Sequence, residues 1–243
     1  DITKSRAVGD AYELATAGEV AKFLIRTKDR YGNERSSSEG NFIINLDGYS
    51  PLTTRYVPQV LDLNTGSFEV SYTATASGFY IIQIFNEEGM LENSPSNIAV
   101  YPSTSEPTAF NTTGDGISFG KVGDDAPIYQ QAIVQAKDRF YNMKSKGGDE
   151  FQAQLSGGWL VAPDGKTSDI RSVPADVTYQ GDGKYKLKYD TTKSGSFQFD
   201  VKVRHPLSGL FLHVQGSPFT VAVSTGAISE ISPFISVETG EIV

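Results

Sequence analysis

Along most of this chain, apolar and polar residues take turns one by one. In 20–28, Ala21, Phe23, Ile25 and Thr27 alternate with Lys22, Arg26 and Lys28. In 67–73, Phe68, Val70 and Tyr72 alternate with Ser67, Glu69, Ser71 and Thr73. The same alternation runs through Tyr185, Leu187 and Tyr189, and through Phe197, Phe199, Val201 and Val203. Successive side chains of a strand point to opposite faces, so each run predicts a strand with one face on a core and one in water. No segment sustains a 3.6-residue period over a dozen residues. Turn signals such as Tyr31-Gly32-Asn33, Ser77-Gly78 and Gly181-Asp182-Gly183 recur at strand-length spacing. In the first hundred residues this spacing predicts strands near 5–14, 19–28, 41–47, 54–63, 67–74, 79–85 and 96–101. About seven short strands per ~100 residues predict an all-β chain of antiparallel immunoglobulin-like sandwiches.

The pattern is stated twice. Lys28-Asp29-Arg30-Tyr31-Gly32-Asn33 returns as Lys137-Asp138-Arg139-Phe140-Tyr141-Asn142, and Gly66 to Tyr72 returns as Gly183 to Tyr189. Gly78-Phe79-Tyr80 returns as Gly195-Ser196-Phe197, and Ser94-Pro95 as Ser217-Pro218. Four signals in one order predict two tandem domains, 1–101 and 102–224. The offset between copies grows along the chain. The second copy therefore has about eight extra residues near 157–165 and six more near 204–209, where surface loops accommodate them. The Pro-, Ser- and Thr-rich stretch 101–108 is expected to be an extended, semi-rigid linker. Residues 225–243 are expected to be a further linker or the first strand of another repeat.

Composition narrows the function. The 243 residues carry a formal charge of −8, with 8 basic and 13 acidic residues in 1–101 but 13 of each in 102–224. An acidic chain lacks the clustered Lys and Arg that nucleic-acid binding needs, so no nucleic-acid partner is expected. No apolar run approaches ~20 residues, so no membrane insertion by this chain is expected. There is no cysteine, which excludes disulfides and thiolate metal sites and leaves cytosol and cell surface both open. The chain opens on Asp1 rather than Met and is expected to be part of a longer protein. His205 and His213 have no partner at ligand spacing, and Asp115, Asp124-Asp125 and Asp149-Glu150 lack the regular spacing of a calcium loop. No phosphate-cradling loop, nucleophile elbow or acid–base pair is present. Catalytic, cofactor and metal sites are expected to be none.

The turn Asp-x-x-Gly-Asn after the second strand, Gly-x-Tyr/Phe-x-Val/Leu-x-Tyr in the fifth, and Gly216-Ser217-Pro218-Phe219 before the last resemble the filamin-type immunoglobulin repeat. Asp182-Gly183-Lys184-Tyr185 and Gly147-Gly148-Asp149-Glu150-Phe151 add to the likeness in the second copy, while Asn93-Ser94-Pro95-Ser96 makes the first a looser match. Most motif residues have structural jobs. Asp29 and Asp138 bond turn amides, Gly32 and Gly183 supply turn backbone, Tyr72 and Tyr189 fill cores, and Pro95 and Pro218 start an edge-type strand.

The resemblance implies that partner peptides add to the edge of the third strand, beside the fourth. By position that edge is Asn41–Leu46 in the first copy, and Phe151, Gln152, Ala153, Gln154, Leu155 and Ser156 in the second. Trp159, in the first inserted loop, is either a protein contact or a cap on the sandwich. The Lys184, Lys186 and Lys188 stripe is either a solvated face or a surface for an acidic partner. Asn111-Thr112-Thr113 is a glycosylation sequon if the protein is secreted. Two functions fit: a spacer and docking segment of a filamin-like actin-crosslinking protein in the cytoplasm, or part of a cell-surface adhesion ectodomain. Both imply protein partners, and a dimeric or multimeric parent protein is one expectation.

Overall fold

The computed structural model describes residues 1–37, 40–49, 51–122, 130–157 and 172–225. Its first ten strands are β1 (Arg6–Val8), β2 (Leu14–Thr16), β3 (Ala21–Arg26), β4 (Ile43–Gly48), β5 (Arg55–Tyr56), β6 (Gln59–Asp62), β7 (Ser67–Tyr72), β8 (Gly78–Asn86), β9 (Gly89–Met90) and β10 (Ser96–Tyr101). The next ten are β11 (Asn111–Thr113), β12 (Phe119–Lys121), β13 (Gln131–Gln135), β14 (Phe151–Gly157), β15 (Val173–Pro174), β16 (Asp176–Gly181), β17 (Lys184–Lys188), β18 (Gly195–Arg204), β19 (Phe211–His213) and β20 (Phe219–Ser224). The first ten make sheets of order β1-β3-β7-β6 and β2-β10-β8-β4-β5, with β9 on β8. The second ten repeat that order as β11-β13-β17-β16 and β12-β20-β18-β14-β15, with β19 on β18. The chain is thus two tandem β-sandwiches of one topology.

Each sandwich buries its own core. Phe23, Ile25, Val70, Tyr80, Ile82, Ile84 and Ile98 lie at the centre of the first. Val134, Leu155, Leu187, Phe199, Val201 and Val221 centre the second. The alternating residues read from the sequence are the ones that face inward. Tyr72 and Tyr189 are buried, and their hydroxyls donate to the carbonyls of Ala11 and Gly116 at 2.7 and 2.9 Å. Burial pushes both phenols up to about 12.

Three details differ from the sequence reading. The segment 5–14, expected as one strand, is two. Gly9, with φ of 123°, and a 3-10 turn at Asp10–Tyr12 turn the chain from one sheet to the other. Gly114 and Asp115–Ile117 do the same in the second copy. The Asn93 side chain braces this break by accepting from Ala7 N and donating to Ala7 O. The expected strand 54–63 also splits, into β5 on β4 and β6 on β7. Pro58 lies at the break, where it has no N–H to offer either ladder. Finally, β10 and β20, which follow Pro95 and Pro218, are not edges. The split-off strands β2 and β12 pair with them in parallel, so each sandwich contains one parallel pair.

Candidate functional site

The candidate docking edge is β14. It pairs with β18 along its whole length, from Phe151↔Val203 to Gly157↔Phe197. Among the described residues, its other side pairs with β15, at Gln154↔Pro174 and Leu155↔Val173. Side chains alternate: Leu155 is buried, Phe151 and Ala153 pack on the core, and Gln152 and Gln154 face water. Backbone groups alternate too. Arg204 N donates to Glu150 O on the β18 side, whereas Ala153 O accepts from Ala175 N on the open side. The amides of Phe151, Ala153 and Leu155 therefore point away from β18. The edge open to a partner strand is shorter than the predicted 151–156, because β15 already pairs with its C-terminal half. Ser156 lies beyond that pairing, opposite Gln198. In the first copy β5 likewise covers Leu46 and Asp47 and leaves the Ile43 end of β4. Trp159 and its inserted loop lie outside the described residues.

A cleft of about 470 Å³ opens at the N-terminal end of β14, lined by Lys144, Lys146, Gly147, Glu150, Arg204 and His205 among others. Its walls are tied down. The Tyr185 hydroxyl donates to Asp149 Oδ2 at 2.8 Å and accepts from Asp149 N at 3.0 Å, and burial pushes that phenol up to about 12. Phe151 stacks on Tyr185 with ring centroids 4.6 Å apart. Arg204 pairs with Glu150 at 3.0 Å. The second inserted loop closes on itself through His205 N to Leu210 O and Gly209 N to His205 O, both 2.8 Å. His205 Nε2 then lies 3.5 Å from Glu106 Oε2 of the linker.

That linker is part of a built junction. Asp138 is fully buried, and its carboxylate accepts from Phe140 N, Asn142 N, Asn142 Nδ2 and Ser103 N at 2.8–3.0 Å. The turn it holds reaches into the first sandwich. Phe140 packs on that core and covers Gly18, where a Cβ would run into the ring. Asn142 accepts from Ser77 N at 2.9 Å and donates to Thr75 O at 2.8 Å. Lys144 Nζ donates to Ser103 O at 2.6 Å. Sequence reasoning found this turn but missed that it docks. The available signal was an aromatic residue, Phe140, held in an otherwise polar turn.

Asn111 sits exposed at the start of β11, and Thr113 is exposed beside it. Lys184 is exposed, with Lys186 and Lys188 half-buried on the outer face of β17. A contrast between the copies escaped the alternation argument. The outer face of β8 carries Phe79, Ile81 and Phe85, whereas that of β18 carries Ser196, Gln198, Asp200 and Lys202. With Leu14, Ile43 and Tyr101, more than half exposed each, the larger sheet of the first copy presents a more apolar outer face, interrupted by Asn45, Asp47, Gln83 and Asn97. Tyr80, Ile82 and Ile84 fill its inner face, with Ile82 opposite Leu46 and Ile84 opposite Ile44, so β8 is largely apolar on both sides and its period is hard to see.

Residues 1–97 match the Filamin/ABP280 repeat. The E3 ubiquitin-protein ligase TRIM71 of Mus musculus is 28% identical over 121 residues, 49% of this chain and 14% of that protein. The chain thus spans a small part of that relative's length. Invasin, a bacterial integrin-binding protein, superposes with a TM-score of 0.55 at 12% identity, covering 93% of this chain and 40% of that one. InvD of Yersinia pseudotuberculosis gives 0.54 at 14% identity, covering 95% and 60%. At such identities these structures share the fold alone. Residues 1–97 thus carry a filamin-type repeat, and the second sandwich repeats its strand order.

Proposed function

We propose that this chain is a non-enzymatic spacer and protein-docking segment, in which the first repeat holds the second at a set angle and β14 takes a partner strand. The observation that supports it is the pairing of β14. Among the described residues its edge is free of β15 at Phe151 and Gln152, ahead of the Ala175 N to Ala153 O bond, beside a polar cleft, on a repeat tied to its neighbour by a buried turn. An extended peptide adds main-chain hydrogen bonds there, and the cleft selects among side chains. In a filamin-like crosslinking protein such a segment spaces actin-binding ends. The test uses peptides selected from a random display library against the whole chain. Binders are expected to lose affinity on Ala153→Pro, which removes an amide on the open side, while the thermal midpoint stays within a few degrees. Unchanged binding overturns edge docking.

A second reading places the segment in a cell-surface ectodomain, supported by the exposed Asn111 sequon on β11. Expression through a secretory pathway is expected to put a glycan on Asn111, seen by mass spectrometry and lost in Thr113→Ala. A chain secreted with Asn111 bare counts against this reading.

A further inference from the structure

We infer that the Asp29–Asn33 turn is a second junction knob, built to dock into another filamin-type repeat joined ahead of this one. It extends the spacer reading beyond the two repeats described. The argument is the atom-by-atom likeness of a free turn to a docked one. In the docked turn, Asp138 Oδ1 accepts from Phe140 N and Asn142 N at 2.8 and 3.0 Å, and Oδ2 accepts from Asn142 Nδ2 at 2.8 Å. In the free turn, Asp29 Oδ1 accepts from Tyr31 N and Asn33 N at 2.8 and 2.9 Å, and Oδ2 accepts from Asn33 Nδ2 at 2.9 Å. Both close through the same backbone bonds, Asp29 N to Asn33 O and Asp138 N to Asn142 O. Arg139 lies over the Phe140 ring at 4.7 Å, and Arg30 over the Tyr31 ring at 4.6 Å.

The segment leading into each turn is also matched. Glu106 N donates to Lys137 O, and Asp1 N donates to Lys28 O at 2.8 Å. Glu106 accepts from Thr108 N and Oγ1, and Asp1 accepts from Thr3 N and Oγ1. The turns differ in sequence, Tyr31-Gly32 for Phe140-Tyr141, in the further bond that Asp138 accepts from Ser103 N, and in their partner. Phe140 covers Gly18, whereas Tyr31 is 72% exposed. Asn142 bonds Thr75 and Ser77, whereas Asn33 faces water. Turns are dominated by Gly, Pro, Asn, Asp and Ser, so the turn itself does not call for the exposed Tyr31 ring.

The chemistry of the occupant follows from the socket already filled. Gly18 leaves room for an aromatic ring at the corner before β3. The Thr75-Ala76-Ser77 turn offers one carbonyl and one amide to an Asn side chain. The partner of Tyr31 and Asn33 is therefore the end of a filamin-type repeat with a glycine at that corner and a polar turn before its β8 equivalent. It is held in tandem by a linker the length of 102–105. A short linker makes such a contact intramolecular, so a small interface suffices.

The experiment extends the full chain with one more copy of residues 1–105 ahead of Asp1, so that Ser105 precedes Asp1 as it precedes Glu106. The added copy carries Tyr31→Phe, leaving the original Tyr31 as the tyrosine followed. Nitration of that Tyr31, read by mass spectrometry, is expected to fall about tenfold against the unextended chain, as a junction closed roughly nine-tenths of the time requires. Asn33→Ala in the original copy is expected to restore it. Unchanged nitration overturns the proposal, and so does protection that survives Asn33→Ala. Protection that instead grows with the concentration of the unextended chain assigns the turn to a separate molecule and overturns the tandem form. Residual dipolar couplings of the unextended chain keep the two readings apart. If its two repeats align independently, the spacer reading fails; if they align as one body and Tyr31 stays reactive, only this inference fails.

Discussion

One aspartate in two settings shows what burial adds to a turn. Asp29 and Asp138 make the same bonds to their own loops, but Asp138 is fully buried and also accepts from Ser103 of the linker. The hydrogen bond from the Asn33 side chain, with the turn amides, holds the Asp29 carboxyl below the ordinary carboxylate range. Removing a carboxylate from a solvated turn lets water take its place. Removing it from the junction leaves three amides and an Asn side chain without their acceptor. Asp138→Ala is therefore expected to cost about 2–4 kcal/mol in urea unfolding, and Asp29→Ala clearly less. Equal costs would mean that the junction does not strengthen the turn. The role of each Asp in its loop was legible from Asp-x-x-x-Asn, because the bonds are local. Which one is buried was not, because burial depends on contacts between residues 35 to 67 positions apart. The repeated serine is similar. Ser94 and Ser217 were read only as preceding a proline, yet their hydroxyls accept from Ile84 N and Val201 N at 2.8 Å. Those bonds join the loop before the last strand to the middle of the longest one.

At the level of the strand, the backbone alternates as strictly as the side chains, and this separates docking from folding on β14. Gln152 and Gln154 turn their amides toward Lys202 and Asp200, inside the sheet, while Ala153 turns its amide to the open side. Proline is tolerated on an edge only where its missing N–H would face away from the ladder. Gln154→Pro is thus expected to unfold the second repeat by about 3 kcal/mol or more, seen as lost chemical-shift dispersion. Ala153→Pro, one position away, is expected to leave the fold intact and abolish peptide binding. If both variants fold alike, the register of β14 against β18 is wrong. Strands with one apolar face were legible, since period two is a local signal. The breaks at Gly9 and Pro58 were not, because each half-strand is recruited by a different sheet and only tertiary pairing decides which. The covering of the edge by β15 and Ala175 was hidden for the same reason, and among the described residues it leaves Phe151 and Gln152 at the start of the predicted docking edge.

Across the whole molecule the question is whether two complete cores act as one rod. Each core closes without the other, so the default for tandem domains is independent motion about the linker. Here the linker is not free. Ser103 gives its amide to Asp138 and its carbonyl to Lys144, and Glu106 is bonded to Lys137, so the expected semi-rigid spacer is integrated into the second repeat. Among the described residues, what remains between the bodies is the Phe140 ring and the Arg139 guanidinium at Gly18 and two hydrogen bonds made by the Asn142 side chain. That is enough to fix an orientation when the linker holds the parts together, and too little to hold separate chains. Phe140→Ala removes the ring and leaves both cores whole. Each repeat should keep its unfolding midpoint to within roughly 0.5–1 kcal/mol, while the two lose their common alignment in residual dipolar couplings. A variant whose repeats still align as one body would show that the two Asn142 bonds carry the junction. Asn142→Ala would then be the change that frees it, and the aromatic ring would matter only for the packing of the first core.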